Sequence, residues 1–278
     1  MIVREPALPV DPRLPGEPTL LDVARARAWL GRRGVQVWLP TRLLALRLGA
    51  RGFATRGLPG YLILVACLWW FGGALFHAVE LPGRAAVSAL VIALYQVLRL
   101  RQVQAGEQVA ERLAGTGSPP APRVAARQVG WWYLAAVAVT FAGGAVLCAA
   151  SFLTRPQFAW QHWYPPSVEI GLHTFALAAG AGATAWALAR AFRAPVIAED
   201  EASRWVDEVL RAEDGLRFAA CAGYALLAMP VFVVDWAAPG TLGWWALAYL
   251  VTVAGLLLTG WLLVRRRYRR LPPGFYGR

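Results

Sequence analysis

Residues 131 to 153 read WWYLAAVAVTFAGGAVLCAASFL, an apolar run without a single charged side chain. A helix rises 1.5 Å per residue, so a run of this length covers the roughly 30 Å hydrocarbon layer of a bilayer. Five further windows meet or approach the same length: 60–79, 85–101, 167–190, 216–236 and 243–264. The second of the six is the shortest, and Arg99 near its end is expected to snorkel its long stem to the surface. The bulk composition agrees, because 58% hydrophobic residues, 16% charged residues and a mean hydropathy of +0.45 lie outside the usual range of water-soluble chains. The expected fold is all-α, a polytopic membrane bundle of six transmembrane helices paired in three hairpins, with short cytoplasmic amphipathic helices.

The charge pattern orients that bundle. All 28 basic residues are arginine, and the formal net charge is +12. The arginines flank apolar stretches and build no basic domain, which argues against nucleic acid as a partner. Twenty-six of them fall in segments 1–59, 99–130, 190–217 and 265–278, leaving only Arg84 and Arg155 for the opposite turns. Cytoplasmic segments retain positive charge during insertion, so both ends are expected in the cytoplasm and the chain in the plasma membrane. Tryptophans mark the same two levels, with Trp160, Trp163, Trp236, Trp244 and Trp245 near outer ends and Trp131, Trp132 and Trp261 near inner ends.

Two regions divide the chain: a cytoplasmic segment 1–59, and a six-span domain 60–278 with cytoplasmic linkers 102–130 and 191–215. The first opens with Pro6, Pro9, Pro12, Pro15 and Pro18, a three-residue spacing that suits an extended polyproline helix, either a semi-rigid tail or a docking strand. It lacks the continuous apolar core of a cleavable leader, so the first span is expected to direct insertion. Thr19 is a candidate N-cap for a basic, apolar helix reaching Arg33, and a second such stretch follows Pro40 with Leu43, Leu44, Leu46 and Leu48 among Arg42, Arg47 and Arg51. Both are expected to lie in the membrane interface as a collar, with arginines reaching the anionic headgroups of the lipid bilayer.

The first linker reads as a helical part, Arg101 to Ala114, followed by a Gly- and Pro-rich break at residues 115–122. The second carries seven of the sixteen acids, opens with Glu199, Asp200 and Glu201, and places Trp205, Val206, Val209 and Leu210 at helical spacing. This acidic helix either docks on the collar or receives a soluble partner through Trp205, Asp207 and Glu208.

All three histidines fall on the outer half. His77 and Glu80 share a face, as do Glu169 and His173, and His162 and Asp235 lie at the same level. Imidazole and carboxylate together suit proton handling or a divalent metal, the one cofactor this pattern admits, and they equally suit contact with headgroups and loop water. Cys67, Cys148 and Cys221 lie inside apolar runs without metal-ligand spacing and read as small buried residues. Gly143 and Gly144, and the row Ala176, Gly180, Thr184, read as surfaces for close helix packing. There is no GxSxG, P-loop, dinucleotide fingerprint or HExxH, so an enzymatic reading has little support and any ATP must be handled by another chain.

Residues 198–217, from Ala198-Glu199-Asp200-Glu201 through Val206-Asp207-Glu208-Val209-Leu210-Arg211, resemble a segment of uncharacterised actinobacterial multi-span integral membrane proteins. In those proteins an acidic stretch, then a helix with two acids, two apolar residues and Arg, precedes the last two spans. The resemblance implies association with transport ATPases or repressors, and with it a membrane component of an export system that meets a cytoplasmic ATPase or other protein subunit. The expected role is a membrane subunit of a transport or export assembly, and the alternative is a small membrane enzyme or a metal- or proton-handling protein with an outer His/Glu site.

Overall fold

The computed structural model describes residues 17–55, 84–114, 117–154, 166–218, 221–225 and 241–278. These form eight helices: α1 (Leu20–Gly31), α2 (Arg42–Thr55), α3 (Arg84–Ala114), α4 (Pro122–Val129), α5 (Trp131–Thr154), α6 (Pro166–Arg193), α7 (Glu201–Phe218) and α8 (Thr241–Arg267). No strand occurs among the described residues, only two isolated bridges, Pro40 with Gly277 and Gly117 with Val196. Among the described residues four helices are long and apolar enough to cross a membrane, over Ala86–Ala114, Trp131–Leu153, Ile170–Arg193 and Thr241–Arg267. They correspond to four of the six expected spans. The window 60–79, and 216–236 apart from residues 216–218 and 221–225, lie outside the described residues.

Local chemistry sets the helix ends. Thr19 caps α1 as expected: its hydroxyl accepts from the Asp22 amide at 3.2 Å, while the Asp22 carboxylate accepts from the Thr19 amide at 3.0 Å. At the start of α7, Asp200 Oδ1 accepts from the Ser203 amide at 2.7 Å, and Ser203 Oγ accepts from the amides of Glu199 and Asp200 at 2.9 and 3.0 Å. The first linker holds one helix beyond the sequence expectation, α4, which begins on Pro122 and ends at Gly130, where a φ of +98° turns the chain into α5.

The shortest expected span and the helical part of that linker are one rod. At 31 residues α3 is about 46 Å long, more than the roughly 30 Å hydrocarbon layer, so its polar C-terminal turns project beyond the membrane.

In the membrane layer α3 packs on α6, α5 on α8, and α5 on α6. Ile92, Leu147, Leu177, Tyr224, Tyr249 and Val253 lie in their shared core. The small residues serve close packing. A Cβ on Gly143 would sit 2.8 Å from the Tyr249 ring, and Gly180 lies against the ring of Tyr224. The two phenols are satisfied internally, Tyr249 donating to the Thr140 carbonyl and Tyr224 to Gln96 Oε1, each at 2.8 Å. Cys148 and Cys221 are buried, as expected of small residues in apolar runs, while Cys67 lies outside the described residues.

A second core, containing Trp29, Leu30, Leu44, Leu48, Val206, Leu210 and Tyr268, joins α1, α2 and α7 to the end of α8. The C-terminal segment folds back onto it. The Leu39 amide donates to the Arg278 carbonyl at 2.6 Å, the Arg278 amide returns to the Leu39 carbonyl at 2.9 Å, and the Thr41 amide reaches the Tyr276 carbonyl at 3.0 Å. The N-terminal helices, α7 and the C-terminal segment therefore form one cap over one end of the bundle. This corrects the expectation for α2: Arg47 and Arg51 are 4% and 7% exposed and turn inward, so neither reaches headgroups.

Candidate functional site

The inward arginines of α2 meet carboxylates from two other helices. Arg47 and Arg51 are four residues apart and share a face with Leu44 and Leu48, so folding α2 onto its apolar stripe carries both guanidiniums inside. From α3, Glu107 receives Arg47 Nε at 2.9 Å and Arg51 Nε at 2.6 Å. From α7, Asp207 receives Arg47 Nη2 at 2.5 Å, and Asp214 receives Arg51 through both terminal nitrogens at 2.6 and 2.9 Å.

Arg211, one turn after Asp207 on α7, completes the cluster. Its Nη2 lies 3.0 Å from Asp207 Oδ2, and its Nη1 donates to the carbonyls of Ala191 and Ala194 at 2.6 and 2.9 Å. Those carbonyls end α6, where the helix dipole is negative and backbone acceptors lack helical partners. Arg47 adds a bond to the Ile197 carbonyl at 2.9 Å. Three guanidiniums thus balance three carboxylates, and the cluster fastens the cap to two membrane helices, α3 and α6. A smaller group lies beside it, in which Glu213 pairs with Arg33 and, at 3.5 Å, with Arg217, while Arg33 stacks 3.6 Å from the Trp29 ring centroid.

The members are not equally well served. Glu107 is held by two arginines, whereas Asp214 shares Arg51 with Glu107. Burial raises the Asp214 pKa, the charges of Glu107 and Glu213 raise it further, and Arg51 only partly offsets them, leaving it at about 6. For Arg51 burial acts to lower the pKa, but Asp214 and Glu107 outweigh it and hold the guanidinium charged.

The residues singled out in the sequence are distributed differently. Asp207 is 2% exposed and belongs to the cluster, while Trp205 and Glu208, on the same helix, are half-buried. At the opposite end, Glu169 lies in the first turn of α6, and His173 one turn further on is buried near Ile170, Ala176 and Leu177. His77, Glu80, His162 and Asp235 lie outside the described residues. No group of three or more metal-ligating side chains comes together among the described residues. Arg47, Arg51, Glu107, Arg211 and Asp214 do not stand out as a unit in the sequence. Their signal is the helical spacing of charges within an apolar stripe: Leu44, Arg47, Leu48 and Arg51 on α2, and Asp207, Leu210, Arg211 and Asp214 on α7.

The fold and cluster define a helical membrane protein with a charge-locked cap at one end. No known protein family, curated protein or solved structure matches the chain.

Proposed function

We propose that the chain is a membrane subunit of a transport or export assembly, and that its cap receives a soluble cytoplasmic partner such as the ATPase of that assembly. The observation that carries this reading is the mechanical position of α7. Through Asp207 and Asp214 it is tied to Arg47 and Arg51 of α2, which also hold Glu107 near the projecting end of α3, and through Arg211 it is tied to the last turn of α6. Helices α3 and α6 also pack on each other in the membrane layer. A force or displacement applied to α7 from outside is therefore felt by two membrane helices together.

A partner must meet α7 through side chains that the cluster leaves available. Glu201 and Arg204 are exposed, and Trp205 and Glu208 are half-buried. Asp207 is committed inside, so a contact at this helix runs through Trp205 and Glu208 without it. We assign the capped end to the cytoplasm of a cell whose plasma membrane holds the chain, because the arginine-rich segments gather there and translocation disfavours them.

The test is affinity purification in mild detergent from cross-linked native membranes. A nucleotide-hydrolysing soluble chain is expected at constant stoichiometry, with at least tenfold loss in a Trp205→Ala/Glu208→Arg variant whose unfolding midpoint is unchanged. Purification of the chain alone, or a partner retained equally by that variant, contradicts the proposal.

A further inference from the structure

The arginines at the capped end fall into two populations. Arg33, Arg47, Arg51 and Arg211 are drawn inside onto carboxylates and helix-end carbonyls. Arg265, Arg266, Arg267, Arg269 and Arg270, at the end of α8 and just beyond it, are all exposed, and none pairs with a carboxylate among the described residues. Neither residues 261–278 nor residues 117–134 contain an acidic side chain. Glu107, Asp207, Glu213 and Asp214 are engaged by the inner group.

Aromatic residues fix the level of the outer group. Trp245 and Trp261 are both exposed on α8, and sixteen helical residues separate them by about 24 Å, within the thickness of a hydrocarbon layer. The Arg265 guanidinium lies 4.9 Å from the Trp261 ring centroid, so the cationic run begins one turn past the inner aromatic level. Helix α4 extends the rim sideways. Its Arg123 and Arg127 are exposed while Ala125, Ala126 and Val129 are buried, and it runs directly into the exposed Trp131 and Trp132. Arg267 donates to the Arg127 carbonyl at 3.1 Å, which sets the two basic segments side by side.

We propose that this rim, formed by the end of α8 and by α4, binds the headgroups of anionic phospholipids, with guanidiniums on the phosphates and the tryptophan rings at the ester level above them. Charge complementarity selects an anionic occupant, and the exposed rings beside the arginines select one continuous with a nonaqueous phase. An acidic soluble protein satisfies the first condition without the second. Anionic lipid is thereby assigned to a different surface from α2, whose Arg47 and Arg51 are already engaged.

The full-length chain, released from bilayers of equal phosphatidylglycerol and phosphatidylcholine, is examined by native mass spectrometry for retained lipid. Phosphatidylglycerol is expected in at least tenfold preference. Each surface arginine is worth about fivefold in attraction to an anionic surface, so the Arg265→Gln/Arg266→Gln/Arg269→Gln/Arg270→Gln variant loses at least tenfold of that preference. The corresponding four-fold Arg→Lys variant keeps most of it, and Arg204→Gln on α7 keeps all of it. Raising salt to about 0.5 M before release weakens the preference of the unmodified chain, a reading that stands even where the glutamine variant fails to fold. Equal retention of the two lipids, a preference indifferent to salt, or an unchanged preference in the glutamine variant overturns the proposal. So does displacement of the bound lipid by inorganic phosphate, or by an acidic soluble protein, at low millimolar concentration.

Discussion

A guanidinium removed from water needs acceptors for five N–H groups, and a carboxylate removed from water needs a cation close by. Arg51 illustrates both demands, because at 7% exposure it binds Glu107 and Asp214 and also reaches the Leu210 carbonyl at 3.3 Å. Such a cluster adds little net stability over a well-packed apolar one, yet deleting one member is costly because it strands the others without compensation. Burial makes Asp214 a titrating member of the cluster. Its pKa of about 6 in the fold exceeds the ordinary aspartate value of 3.8, so the folded chain holds that proton more tightly than the unfolded chain does. The resulting stability is full below about pH 4 and is lost as pH rises through about 6. On going from about pH 7 to about pH 5 the wild type is therefore expected to gain stability relative to Asp214→Asn, in which this titration is absent. Unfolding midpoints in mixed micelles at the two pH values check it, and parallel behaviour of the two proteins counts against the assignment.

At the scale of elements, four of the six expected membrane helices are found among the described residues, and these were legible from run length alone, because the bilayer imposes one simple requirement, a long apolar stretch, that each of them meets without reference to its neighbours. The Thr19 cap was legible for a similar reason, since its chemistry is confined to four consecutive residues. Helix α2 was not. Arginines among leucines carry one sequence signature whether they meet headgroups or buried acids, and the deciding residues, Glu107, Asp207 and Asp214, lie from 56 to 163 positions away. Helix α4 was hidden in a Pro-rich linker, where its amphipathic pattern runs for only eight residues. The close packing of α5 on α8 leads to a sharp expectation. A Cβ on Gly260 would lie 2.9 Å from the Tyr133 backbone nitrogen, and a backbone neighbour cannot rotate away as a side chain can. Gly260→Ala is expected to destabilise the chain by roughly 1–3 kcal/mol, as overpacking does. An unfolding titration reads this directly, and a neutral result would mean that the two helices do not approach so closely.

For the whole molecule, the arginines have two fates that separate two structural roles. The inner group joins a cap of helices to the ends of α3 and α6, and the outer group, beside Trp261 and α4, is left for the membrane surface. The proposed coupling role depends on the first of these, because a cap that merely rested on the bundle would pass nothing into it. The pair to interrogate is Arg51 with Glu107, which joins α2 of the cap to α3 at 2.6 Å with both side chains largely buried. A double-mutant cycle of Arg51→Ala and Glu107→Ala, followed by reversible unfolding in mixed micelles, measures that join. Each single variant is expected to lose roughly 3–5 kcal/mol, and the double variant less than the sum by at least about 1.5 kcal/mol, since the second change removes the charge stranded by the first. Additive losses, or single variants as stable as the wild type, would contradict the charge-locked cap.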